Sequence, residues 1–154
     1  MKRILPTVST LAALAFIALP FCPARAADDV TTYQTQGDFE DVAAEIEDAI
    51  VNKGLVVDYH GFIGDMLART ASDVGSDKKL YENAEFFQFC SAALSRKVME
   101  TDIANIAYCP YVVFVYEATP GNITVGFRRL PAGDGRDEVN TLLDGIAKAA
   151  VANQ

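Results

Sequence analysis

A chain of 154 residues with 13 Lys and Arg against 21 Asp and Glu carries a formal charge of −8 at pH 7. That balance repels nucleic acid and anionic lipid surfaces and sets aside polyanion binding unless the few cations gather on one face. The length suits one domain with a real hydrophobic core and leaves little room for a second.

The first expected element is a cleavable secretory signal over Met1–Ala26. Lys2 and Arg3 supply a positive start, Leu11 to Phe21 is almost wholly apolar, and Ala24-Arg25-Ala26 offers small residues at the positions a signal peptidase reads. The apolar run is about half the ~20 residues that span a bilayer, so a retained anchor is the weaker reading. A lipid anchor on Cys22 is disfavoured by bulky Phe21 before it. Cleavage would leave 128 of the 154 residues, 27–154, as one exported domain in the periplasm or outside the cell. Losing Lys2, Arg3 and Arg25 but no acid would take the formal charge from −8 to −11. No later stretch is long enough for a transmembrane helix.

Beyond the signal, Ala27 to Gln36 is rich in Val, Thr and Tyr and predicts a first strand, which Gly37 breaks. Asp38 can cap a helix whose inward stripe is Phe39, Val42, Ala43, Ile46, Ala49 and Ile50, with Gly54 ending it. Leu55-Val56-Val57 reads as a short strand. Phe62, Ile63, Met66, Leu67 and Thr70 then return to helical spacing, and Ser72 to Lys79 reads as a solvated loop. Glu85 to Phe89 predicts a strand leading directly into a helix from about Ser91 to Glu100, with Ala93, Leu94 and Val98 inward. The apolar run Val112 to Val115, within Tyr111 to Glu117, predicts an interior strand covered on both faces. Thr119-Pro120-Gly121-Asn122 is a turn, and the alternation of Ile123, Val125 and Phe127 beyond it completes a hairpin. After the breaker-rich Pro131 to Gly135, Val139, Leu142, Leu143, Ile146, Ala147 and Ala150 define an amphipathic C-terminal helix. The pattern predicts an α+β fold: one mixed sheet of about five strands with helices packed on it.

No catalytic or metal-binding motif rises above background, so the chain reads as a binding or accessory domain rather than an enzyme. Cys90 and Cys109 remain after signal removal, and in an oxidising compartment a disulfide between them is the first hypothesis. The alternative uses the same placement. A thiol at a helix N-terminus is activated by the helix dipole, which would make Cys90 a reactive or ligating group. His60 is the single histidine, which excludes a histidine-rich zinc site. With Met66, Met99 or a cysteine it could ligate haem or copper, although no C-x-x-C-H is present and the bland reading places both methionines at the core margin. No cofactor is predicted on this evidence. Arg128 and Arg129 could meet a carboxylate, or simply lie exposed at the hairpin's end.

The segments Met66-Leu67-Ala68-Arg69-Thr70, Phe89-Cys90-Ser91 through Met99-Glu100, Ile106-Ala107-Tyr108-Cys109-Pro110-Tyr111 to Tyr116-Glu117, and Gly126-Phe127-Arg128-Arg129 together resemble the family called domain of unknown function 302. The resemblance covers about residues 39–131. It implies a compact α+β homodimer with no established enzyme activity. Many members carry a cysteine just after the proline of the central strand, whereas here Cys109 precedes Pro110, so any role of that other cysteine does not transfer. The expectation is therefore an exported, disulfide-stabilised dimer holding a small-molecule ligand between sheet and helices near Cys90, His60, Tyr108 and Tyr111, with no nucleic-acid partner.

Overall fold

The computed structural model describes residues 29–152. The signal expected at Met1–Ala26, with Cys22, lies outside the described residues. Strands β1 (Val30–Gln36), β2 (Val57–Gly61), β3 (Asn83–Phe89), β4 (Tyr111–Thr119) and β5 (Asn122–Arg128) alternate with helices α1 (Phe39–Val51), α2 (Ile63–Thr70), α3 (Ala92–Thr101) and α4 (Arg136–Ala152). They form one five-stranded sheet in the order β1-β5-β4-β3-β2. The α+β class holds. One detail differs from the mixed sheet expected: every neighbouring pair is antiparallel. Helices α1 and α3 do not return the chain to a parallel neighbour, because β2 is carried to the far edge and β4 back beside β3.

Asp38 caps α1 as its sequence position suggests, its carboxylate accepting from the amides of Glu40 at 2.9 Å and Asp41 at 3.4 Å. All six residues of the predicted α1 stripe are buried. The strand expected at Leu55–Val57 begins only at Val57, opposite Phe89. Leu55 is used to end α1, its amide donating to Ile50 O at 3.3 Å around left-handed Gly54 (φ 73°), and Val56 is 72% exposed. In α3, Ser91 caps and Val98 is buried, but Ala93 faces solvent and Ser95 takes the half-buried position.

Helices α1 and α4 cover one face of the sheet. Strand residues of one parity, Phe87, Phe89, Val113, Val115, Ile123, Val125 and Phe127, point to them and are almost fully buried against Val42, Ile46, Ile50, Val139, Leu143 and Ile146. Each such side chain contributes roughly 1.5–3 kcal/mol of hydrophobic stabilisation. The opposite face behaves differently. It carries the other parity, and only α2 lies over it, at the β3 side. The central strand is therefore covered on both faces only in part, since Phe114 and Tyr116 are only partly buried.

Candidate functional site

The incomplete cover of that second face creates a groove. Its floor is Ala84, Phe86 and Gln88 of β3 with Val112, Phe114 and Tyr116 of β4, and its wall is Ile63 and Leu67 of α2 with Tyr81 ahead of β3. The volume is about 460 Å³, within the usual span of small-molecule sites. Two glycines shape it. A Cβ on Gly64 would stand 2.8 Å from the Ala84 amide nitrogen, so glycine lets α2 seat directly on β3. A Cβ on Gly126 would meet the Phe114 ring at 2.5 Å and the Thr31 carbonyl at 2.7 Å, so glycine lets that ring lie across β5.

Aromatic rings line much of this surface. The Tyr81 and Tyr116 centroids are 5.6 Å apart, those of Phe114 and Tyr116 6.3 Å and nearly parallel, and those of Tyr59 and Phe86 5.8 Å. Arg128, the last residue of β5, lies on the same face and borders the groove. Among the described residues its guanidinium makes no ion pair or side-chain hydrogen bond, while Arg96, Lys97, Arg136 and Lys148 all hold carboxylates.

Of the residues singled out in the sequence, Arg128 borders the groove, whereas Cys90, Cys109, His60, Met66, Met99, Tyr108 and Tyr111 lie elsewhere. His60, opposite Phe87 in the β2–β3 pairing, stacks on that ring at 4.2 Å and contacts the Phe62 ring at 4.4 Å; its Nε2 lies 2.7 Å from the Glu85 carboxylate. This pair pins edge strand β2 to β3. Met66 sits on α2 with its carbonyl accepting from the Thr70 hydroxyl, and Met99 sits on α3. The two methionines thus belong to separate helices. Among the described residues no group of three or more His, Cys, Asp or Glu is placed to hold a metal ion.

Cys90 and Cys109 are joined in a disulfide with Cα atoms 6.6 Å apart. Cys90 precedes the Ser91 cap of α3. Cys109, on a cis peptide to Pro110, has the Ser95 hydroxyl 3.6 Å from its sulfur, and that hydroxyl also lies 2.9 Å from the Tyr111 hydroxyl. Tyr111 is otherwise buried, its ring edge-on to Phe89. Tyr108 ends a 3-10 turn (Ile103–Tyr108) and carries the Arg136 guanidinium 5.4 Å above its ring. Arg136 also donates to Asn105 and to the Pro131 and Ala132 carbonyls, tying that turn to the start of α4.

A polar cluster joins the other sheet edge to α4. The Tyr33 hydroxyl donates to Asp144, Lys148 pairs with the same carboxylate at 2.7 Å, and Lys148 Nζ lies 5.6 Å from the Tyr33 ring centroid. Bonds from Lys148 and Tyr33 hold the Asp144 carboxyl below its ordinary pKa. The bond to Asp144 raises that of Tyr33.

Apart from Arg128, the groove residues carry no sequence signal of a site, because Val112–Val115 reads as doubly covered. The signal lay in parity: along Phe86, Phe114 and Tyr116 the largest aromatics share one face, while the β-branched residues Val113 and Val115 share the other.

No curated protein matches the chain. Among solved structures, it is similar to the crystal structure of an uncharacterized conserved DUF302 protein from Bacillus stearothermophilus, with a TM-score of 0.66 at 13% identity over 80% of this chain and 99% of that one. The family model for domain of unknown function DUF302 matches residues 31–146. It thus reaches from β1 into α4, beyond the 39–131 core expected from motifs, and α4 is shared structure rather than an appendage. On that match the chain belongs to the DUF302 family.

Proposed function

We propose that this protein is an exported binding domain, periplasmic or secreted, that holds a small apolar molecule on the uncovered face of its sheet. One observation carries the reading: a partly buried aromatic floor of Phe86, Phe114 and Tyr116, walled by α2 into a groove of about 460 Å³. The opposite side of the sheet, where a ligand was first expected, is filled by α1 and α4. The disulfide serves as a brace, and no catalytic step is assigned.

The fluorescent naphthylamine N-phenyl-1-naphthylamine tests this directly. Saturable binding at one site per chain, weakened about tenfold or more by Phe114→Ser with the fold retained by circular dichroism, is the expected result. Absence of saturable binding would remove the reading. Export is checked by fractionating cells and measuring the mass of the mature chain. Homodimerisation, which the family resemblance implies, belongs to the same proposal; Ile103 and Ile106, 84% and 64% exposed, offer apolar surface for it away from the groove, and sedimentation decides it.

A second reading, a redox or haem/metal protein using Cys90, Cys109, His60, Met66 or Met99, has one observation in its favour. The Ser95 hydroxyl is placed to hydrogen-bond a thiolate at Cys109. A visible spectrum of the purified protein and its equilibration with a glutathione buffer test that reading.

A further inference from the structure

The geometry points to an amphipathic anion as the occupant of the groove: a flat or extended apolar body lying on Phe86, Phe114 and Tyr116, with a carboxylate or sulfonate held by Arg128. This inference rests on the binding role proposed for the groove and adds the chemical class of its ligand.

Three features carry it. Arg128 borders an otherwise largely apolar surface and lacks a partner among the described residues, in a chain whose acids outnumber its cations 21 to 13. In such a chain a carboxylate is the commonest partner on offer, and a guanidinium left without one retains its full set of forked donors for an anion. Glu85, the carboxylate nearest along β3, is engaged instead with His60, and the next carboxylate on β4, Glu117, is occupied by Asn83 and the Gly121 amide. Of the other polar groups lining the groove, the Tyr81 and Tyr116 hydroxyls and the Gln88 amide are neutral, and the one acid, Glu85, is the carboxylate held by His60. The site therefore presents one cation without a partner among the described residues, while the single carboxylate in its lining is engaged by His60. An apolar body gains from the rings, and a single anionic group gains a charge-assisted hydrogen bond at one end.

A matched pair of probes separates the two contributions. N-phenyl-1-naphthylamine and 8-anilinonaphthalene-1-sulfonate share one aromatic body and differ by the sulfonate. The wild-type protein is expected to bind the sulfonate about tenfold or more tightly than Arg128→Gln does, whereas the neutral probe binds both within about twofold; Arg128→Lys should recover part of the sulfonate affinity. Because Arg128 is exposed, the substitution leaves the core untouched. Equal losses for both probes, or no loss for the sulfonate, would overturn the anion assignment while leaving the groove as a binding site. Failure of both probes to bind, or loss of both on formation of a sedimenting dimer, would overturn the groove itself, the latter in favour of a second copy lying on this face.

Discussion

Removing the Cys90–Cys109 bond is the most quantitative perturbation this structure offers. The bond joins residues 19 apart and closes a loop made of α3 and the 3-10 turn Ile103–Tyr108. Restricting the unfolded chain over a loop of that length contributes roughly 3 kcal/mol in the chain-entropy account. For a domain of about 125 residues the unfolding entropy near the midpoint is about 0.26 kcal/mol/K, so the loss corresponds to a Tm decrease of about 11 °C. Thermal unfolding of the oxidised protein, the reduced protein and Cys90→Ser/Cys109→Ser, each checked by mass after alkylation, makes the comparison. The reduced protein and the double variant should agree. Two alkylatable thiols without reductant, or a Tm that moves by less than about 3 °C after verified reduction, would refute the brace. The loosened segment should be local as well. Within α3 only Val98 is fully buried, so amide exchange should rise first across Ala92–Tyr108 and last in β4 and β5.

Two further outcomes test other parts of the fold. Gly126→Ala places a methyl group against the Phe114 ring and, at 2.7 Å, against the backbone carbonyl of Thr31, which has no rotamer to escape into; a cost of about 1–3 kcal/mol and weakened binding of the neutral probe are expected, read by denaturant unfolding and fluorescence. Asp144→Asn removes a carboxylate whose pKa is depressed in the folded state, so it should destabilise at neutral pH, by up to about 1 kcal/mol for a largely exposed pair. A depressed carboxylate stabilises above its ordinary pKa of 3.8 and loses that contribution as pH falls through the lowered value, so wild type and variant should converge in acid. A Tm gap that stays constant from pH 7 down to strong acid would contradict the role assigned to the Tyr33–Asp144–Lys148 cluster.

Much of this architecture was legible in the residues because periodicity reports one buried face per element. The α1 stripe from Phe39 to Ile50 and the α4 stripe from Val139 to Ala150 are the positions that pack on the sheet, and Pro120-Gly121 is the hairpin turn. Where the fold departs from the local pattern, tertiary geometry overrules local preference. Leu55 and Val56 favour a strand, yet closure of the α1 C-terminus claims Leu55. Val112 to Val115 lacks alternation because both parities are apolar, and only the extent of α2 decides which face stays open. The pairing of Cys90 with Cys109 was legible as the two cysteines that an exported chain would retain. The groove was not, because its floor comes from β3 and β4, its wall from α2 and its cation from the end of β5, four segments with no shared signature.

The strand order has a consequence for how the chain must assemble. Strands β2, β3, β4 and β5 follow one another across the sheet in chain order, whereas the β5 edge is closed by β1 from the N-terminal end; Val30 pairs with Arg128 across nearly the whole described chain. An emerging chain can pair β2 with β3 as soon as β3 is made, but must keep β1 waiting until β5 arrives. Such long-range closure slows folding and exposes unpaired strand edges in the interval. Fragments that lack β1 should therefore retain the hairpin yet associate through the bared edge of β5, which makes the first strand a guard against aggregation as well as a member of the sheet.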